Sequence, residues 1–315
     1  MKVAFPRLTA MIAAAFVCVC SMDALAQRGI VVVAQPGLEI FAPGDEPLLY
    51  LAFQNDSTNQ LVEYFPDEDK ITIFPNGMVV VFKDGVRLPS LHSPETDYDY
   101  GERTILQPCE TFTIKIPLRC LAKLPKDYAG VYEVLTQPQL FFRGPVVSNR
   151  CHFTISAVPF GESGNGTELA LQRPDWEHNK ADVIARAGIR AEMINIVQAE
   201  GKCPLVRIRA LRLFMSGLVE GKELSNLEKW GGNGDAVLGL EVAGEARKLK
   251  GEARIRVLQA CLQNPDLAVR RKAASCLASL DHASYPRETL RQRLALEKDD
   301  ILLRLIRGML LSDQP

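Results

Sequence analysis

The stretch Pro265-Asp-Leu-Ala-Val-Arg-Arg-Lys-Ala-Ala-Ser-Cys-Leu-Ala-Ser-Leu280 reads as one amphipathic helix, and its pattern recurs before and after it. Val269, Ala273, Cys276, Leu277 and Leu280 fall on one face at helical spacing. Pro265 and Asp266 suit the first turn, where a missing N–H costs nothing and a negative charge meets the positive end of the helix. The paired small residues Ala273 and Ala274 let a neighbouring helix come close. Such a helix is built for contact with another macromolecular surface, and the sequence does not name the partner.

Written as Val-Arg-x-x-Ala-small-x-x-apolar, the frame also fits Val206-Arg207-Ile-Arg-Ala210-Leu211-Arg-Leu-Phe214. It fits less well at Leu303-Arg304-Leu-Ile-Arg307-Gly308-Met-Leu-Leu311. The arginines at 207, 270 and 304 lie 63 and 34 residues apart, so a degenerate copy is expected near 238, where Asp235-Ala-Val-Leu-Gly-Leu-Glu-Val-Ala243 stands. A second helical segment precedes each copy: Ile189–Glu200, Lys222–Trp230, Glu252–Asn264 and Pro286–Lys298. The expectation is four helical hairpins at a period of roughly 30 to 35 residues.

These residues resemble a short array of HEAT repeats, an α-solenoid family, over about 185–312. The resemblance implies a right-handed stack of hairpins with the second helix of each lining the concave side. A single hairpin cannot bury its apolar stripe, so neighbours stack into a continuous core. The resemblance also implies that Arg207, Arg270 and Arg304 form an internal ladder with acids of the next repeat. Partner contacts then fall to the exposed positions of the second helices: Arg209, Arg212, Arg271, Lys272 and Ser275.

Residues 1–26 read as an export signal, with Lys2 and Arg7 at its start, a short apolar run over Met11–Cys20, and Ala24-Leu25-Ala26 for cleavage. The run is too short to span a bilayer, and no later stretch is long and apolar enough. Cys18 and Cys20 each follow a Val, which argues against lipidation. The expected location is therefore periplasmic or secreted, and nucleic-acid readings fall away. Charge divides unevenly: residues 27–170 carry 11 Lys and Arg against 18 Asp and Glu, and residues 171–315 carry 24 against 19. Two halves of opposite sign could attract each other, or the basic one could meet an acidic partner, but mixed solvated faces are the favoured reading of so small an imbalance.

Residues 27–160 read as β. Runs near Ile30–Val33, Leu38–Phe41, Leu48–Gln54, Leu61–Phe65, Ile71–Phe74, Met78–Lys83, Thr111–Ile116, Gly130–Leu135 and Val146–Val158 are rich in Val, Ile, Phe and Tyr and bounded by turn residues. Phe112, Ile114 and Ile116 alternate with Thr111, Thr113 and Lys115, which predicts one buried face and one wet face. Asp84-Gly85 predicts a tight hairpin turn. Asp127-Tyr-Ala-Gly130-Val-Tyr132-Glu-Val134 is similar to the tyrosine corner of immunoglobulin-like domains. That resemblance implies a β-sandwich in which Tyr132 packs in the corner and returns its hydroxyl to the backbone. The antibody pattern is incomplete, because Val134 stands where the second core cysteine would be and no Trp precedes residue 176. The glycine-rich segment Phe160–Thr167 reads as a linker, and a lead-in helix around Trp176 completes the 161–184 connection. The fold class expected is thus multidomain: an all-β immunoglobulin-like sandwich followed by an all-α HEAT-like solenoid over 185–315.

Chemistry is sparsely signalled. Six cysteines follow the signal: 109, 120, 151, 203, 261 and 276. Cys109 and Cys120 bracket a strand, and Cys261 and Cys276 are offset along a hairpin by roughly 10 Å, so neither pair is placed to bond. Cys151 shares a face with Phe153 and Ile155, and Cys120–Cys151 is the pairing to test first. No CxxC or Cys/His cluster predicts zinc. The histidines at 92, 152, 178 and 282 are scattered. Asp97 and Asp99 sit in an acidic loop that lacks the glycine and bidentate acid of a calcium loop, while Tyr98 and Tyr100 in the same loop suit a contact surface. Ser163 is out of register for a nucleophile elbow, and Gly221-Lys222 lacks the upstream glycine of a phosphate loop. The sequence therefore points to an exported, non-enzymatic adaptor or scaffold with a protein partner and no cofactor. Inhibition of an exported hydrolase through the sandwich loops, or glycan binding on the sandwich, are the alternatives.

Overall fold

The computed structural model describes residues 30–42, 45–65, 79–91, 102–136, 149–157, 171, 189–199, 202–216, 222–281 and 284–311. The expected signal, the strand at 71–74, the acidic loop at 95–100 and, apart from Leu171, the linker and lead-in helix lie outside the described residues. What is described falls into a strand-rich amino-terminal part and a carboxyl-terminal part of eight helices.

Strand β1 (Ile30–Pro36) runs antiparallel to β3 (Leu48–Asn55), and β3 antiparallel to β8 (Thr111–Pro117). The second sheet has β2 (Ile40–Phe41) parallel to β10 (Arg150–Ile155), then β9 (Gly130–Thr136), β5 (Val79–Lys83) and β6 (Val86–Arg87), each antiparallel to the last. A separate pair joins β4 (Leu61–Phe65) to β7 (Glu102–Leu106). Alternation places Leu49, Leu51, Phe53, Phe112, Ile114 and Ile116 of the first sheet in the core with Val81, Tyr132, Val134 and Phe153 of the second. Tyr132 is fully buried, stacks on Phe153 at 5.3 Å, and donates its hydroxyl to the Tyr128 carbonyl at 2.6 Å. The β5–β6 turn takes φ of 50° at Asp84 and 79° at Gly85, the doubly left-handed pair that a two-residue hairpin requires.

The Cys120–Cys151 bond is not formed. Cys151 lies mid-strand opposite Val134 as a buried thiol, while Cys120 sits in the 3-10 turn beyond the end of β8. Cys151 does share its buried face with Phe153 and Ile155. Burial pushes the Cys151 and Cys261 thiols up to about 12, which leaves them protonated packing groups.

The helices are α1 (Ile189–Gln198), α2 (Pro204–Met215), α3 (Lys222–Gly232), α4 (Ala236–Glu245), α5 (Gly251–Cys261), α6 (Leu267–Ala278), α7 (Arg287–Leu296) and α8 (Asp300–Leu311). They pack in consecutive pairs, and like stacks on like: α3 on α5 in one layer, and α2, α4, α6 and α8 in succession in the other. Leu211, Trp230, Val242, Leu258, Leu277 and Ile306 run through the core between the layers. No helix among the described residues is long and apolar enough to cross a membrane.

Three second-layer helices begin at an aspartate. Asp235 Oδ1 accepts from the Leu238 amide at 3.0 Å, Asp266 Oδ1 from Ala268 and Val269 at 2.9 and 3.3 Å, and Asp299 Oδ1 from Leu302 at 3.0 Å. Pro265 and Asp266 accordingly precede the helix rather than opening its first turn, and the helix ends at Ala278 instead of Leu280. Asp266 also corrects the reading of β8. Thr113, on the face expected to be wet, is 2% exposed because Asp266 accepts its hydroxyl at 2.8 Å.

Candidate interaction surface

The buried polar groups between the strand-rich part and α6 form one network. Arg270, 1% exposed, donates to Glu297 at 3.1 Å and to the Asn264 and Pro265 carbonyls at 3.0 and 2.7 Å. It also pairs with Glu110, in the turn between β7 and β8. Arg271 grips Asp299 through both carboxylate oxygens, at 3.0 and 2.6 Å. The same guanidinium donates to the Thr104 hydroxyl of β7 at 3.0 Å and lies 5.3 Å from the centre of the Phe112 ring. Arg293 adds two hydrogen bonds to Glu297, at 3.0 and 2.7 Å. Adjacent arginines of one helix therefore reach Glu297 and Asp299 of the next hairpin, the β7–β8 turn through Arg270, and both strands through Arg271.

Two opposing shifts mark this network. Burial works to raise the Glu297 carboxyl, but Arg270 and Arg293 outweigh it and hold it below the ordinary range. Burial pushes the Asp266 carboxyl up, against hydrogen bonds from Thr113, Val269 and Thr111 and the charge of Arg270. Further contacts bring α2 to the strands. The Leu205 amide donates to the Gly37 carbonyl at 3.0 Å, and a Cβ on Gly37 would lie 2.8 Å from the Leu205 side chain, so any larger residue would have to push that side chain aside.

The expected arginine ladder holds at two rungs. Arg207 reaches Asp235 of the next second helix at 2.7 Å, and Arg270 reaches Glu297, two residues before the Asp299 cap. Arg304 departs from it: it is exposed and, among the described residues, donates only to the Asp300 carbonyl of its own helix, at 3.3 Å. Arg207 and Arg270 each lie four residues after the residue that precedes the helix, whereas Arg304 lies five after Asp299. One residue is about 100° of helix, enough to turn a side chain off the ladder.

The residues expected to meet a partner separate into two groups. Arg271 is committed to Asp299 and Thr104, Arg212 pairs with Glu241 of α4, and Arg209 donates to the Leu171 carbonyl at 2.7 Å. These three are half-buried rather than exposed, because the second layer faces other parts of the same chain. Lys272 is also half-buried, and Ser275 is exposed. Tyr98 and Tyr100 lie outside the described residues. Sequence reasoning missed Glu110, Glu297 and Asp299. The recurrence of Asp235, Asp266 and Asp299 at spacings of 31 and 33 residues carries the signal for the caps; nothing local marks Glu110.

Among the described residues, no group of three or more His, Cys, Asp or Glu side chains is placed to hold a metal ion. No protein-family model matches this chain, and no curated protein matches it.

Proposed function

We propose that this chain is an exported, non-enzymatic adaptor: an immunoglobulin-like sandwich with a HEAT-like array docked on it, acting through protein–protein contact. The sandwich reading is supported by two facing sheets, an edge strand that pairs parallel with the last strand, and the Tyr132 hydroxyl returned to the Tyr128 carbonyl. The array reading is supported by the aspartate caps at 31 and 33 residues and by the Arg207–Asp235 and Arg270–Glu297 rungs.

One observation carries the functional reading. Like helices stack on like, so each added hairpin lengthens a surface instead of closing a pocket. An extended surface of this kind suits a polypeptide partner. With the second layer engaged by the strands, the surface on offer consists of the first helices and the corners between hairpins.

The test is affinity capture by the tagged full-length protein from the periplasmic or secreted fraction, followed by calorimetry of any captured protein with the purified chain. The expected result is a partner that binds directly at fixed stoichiometry. Failure to bind any captured protein directly, or turnover of a substrate by the purified chain, would overturn the adaptor reading.

A further inference from the structure

We propose that the corner leading from α4 into α5 is the docking surface for an acidic, Asp/Glu-rich segment of a protein partner. The inference rests on the protein-binding reading above and narrows it to one patch and one chemistry. The chain runs Arg247-Lys248-Leu249-Lys250 through this corner, and all three cations are exposed. Lys248 is held by Glu245, but Arg247 and Lys250 pair with no carboxylate among the described residues.

Two facing helices bring further positive charge. Lys272 stands one turn before Cys276 on α6, Arg254 of α5 donates to the Cys276 carbonyl, and the charge of Arg247 acts on the same thiol. Cations from the corner, α5 and α6 thus gather at one end of the α5–α6 hairpin. Arg254 is fixed there by hydrogen bonds to the Ser279 hydroxyl at 3.1 Å and the Cys276 carbonyl at 3.4 Å, while its buried Nε has no partner among the described residues. The exposed Ser275 and Ser279 flank the cluster.

Cations near helix carboxyl ends are favourable in any protein, and Arg254 serves α6 in that way. The same reason does not account for Lys250. It occupies the N-cap of α5, beside the positive end of the helix, and supplies no capping hydrogen bond. Asp, Ser or Asn would be more stable there. A residue that breaks a local rule within a run of exposed cations points to a ligand of opposite charge, even with Glu252 in the turn that follows. The cations are spread over a corner and two helices instead of converging on one point, which fits carboxylates strung along a chain better than a single phosphate.

The test titrates the full-length protein into a fluorescein-labelled oligoglutamate, followed by anisotropy. It is run beside R247E/K250E/K272E and a control of equal charge change, R291E/R304E/R307E, at exposed positions of α7 and α8. Far-UV circular dichroism and the melting transition establish that both variants are folded. The wild type and the control should bind alike, and the corner variant about tenfold or more weaker. Equal binding by the corner variant, or an equal loss in the control, would overturn the patch. So would inorganic polyphosphate of matched charge displacing the peptide at about tenfold lower concentration, which would mark a phosphate surface. A partner captured equally by the wild type and the corner variant overturns the patch and leaves the adaptor reading standing. Oligoglutamate binding without any directly binding protein partner overturns the adaptor reading alone.

Discussion

Helices α5 and α6 belong to one hairpin, yet they live in different surroundings. In α5 the buried side chains are Val257, Leu258 and Cys261, a single stripe. In α6 they are Leu267, Ala268, Val269, Arg270, Ala273, Ala274 and Leu277, which cover most of the circumference of its first two turns. The difference is the sheet. One side of α6 packs on α4 and α8, as any stacked helix would, and its amino-terminal end packs on β8. What the sequence presents as a helix with one apolar face is a helix held on two sides. Across the second side run the Arg270–Glu110, Arg271–Thr104 and Thr113–Asp266 contacts.

The largest expected effect comes from cutting that polar side. R270A leaves the buried Glu297 with Arg293 alone and takes the cation from the half-buried Glu110, and is expected to cost about 3 kcal/mol in denaturant unfolding. The same substitution at Arg304, which has an exposed side chain and no carboxylate partner among the described residues, strands no charge. D266A removes the cap of α6 and strands the Thr113 hydroxyl, so about 2–3 kcal/mol is expected. If D266A and T113V prove additive in a double-mutant cycle, the helix and the strand are not coupled through this bond.

Acid should act through Glu297. Its folded pKa is depressed, so its contribution is present above the unfolded carboxyl value and lost as pH falls through the folded one. Asp266 runs the other way: its raised pKa gives a contribution that is full below its unfolded value and fades as pH rises through the folded one. Melting temperatures followed from neutral pH downward should therefore drop in the wild type and fall less steeply in E297Q. Parallel curves would remove Glu297 from the account. The smallest effect belongs to R304A, expected within about 0.5 kcal/mol of wild type. A larger loss would place Arg304 back on the ladder.

Much of the helical part was legible in the sequence because its cause is local. Val269, Ala273 and Leu277 recur at helical spacing and are all fully buried. The degenerate copy at 235–243 forms α4 with Asp235 as its cap. Arg304 misled because a loose frame tolerates a slip of one residue, whereas a helix does not. The strand-rich part was legible in its inner face and in the Asp84-Gly85 turn, where φ is dictated by residue type. Its outer face was not. Thr111, Thr113 and Lys115 have the alternating polarity of a solvated face, and a sequence does not distinguish a threonine bonded to water from one bonded to Asp266. Arg271 misled for the same reason. Its guanidinium looks available to a partner, and the groups it meets, Thr104 and Asp299, lie 167 and 28 residues away.

Native-state hydrogen exchange on the full-length protein tests most directly whether α6 and β8 are joined by this network. The amides of Ala268 and Val269, at the start of α6, and those of Ile114 and Ile116 in β8 should open with one shared free energy, lowered equally by R270A. Loss of protection in α6 alone, with β8 unchanged in the same variant, would contradict the joining of helix and sheet.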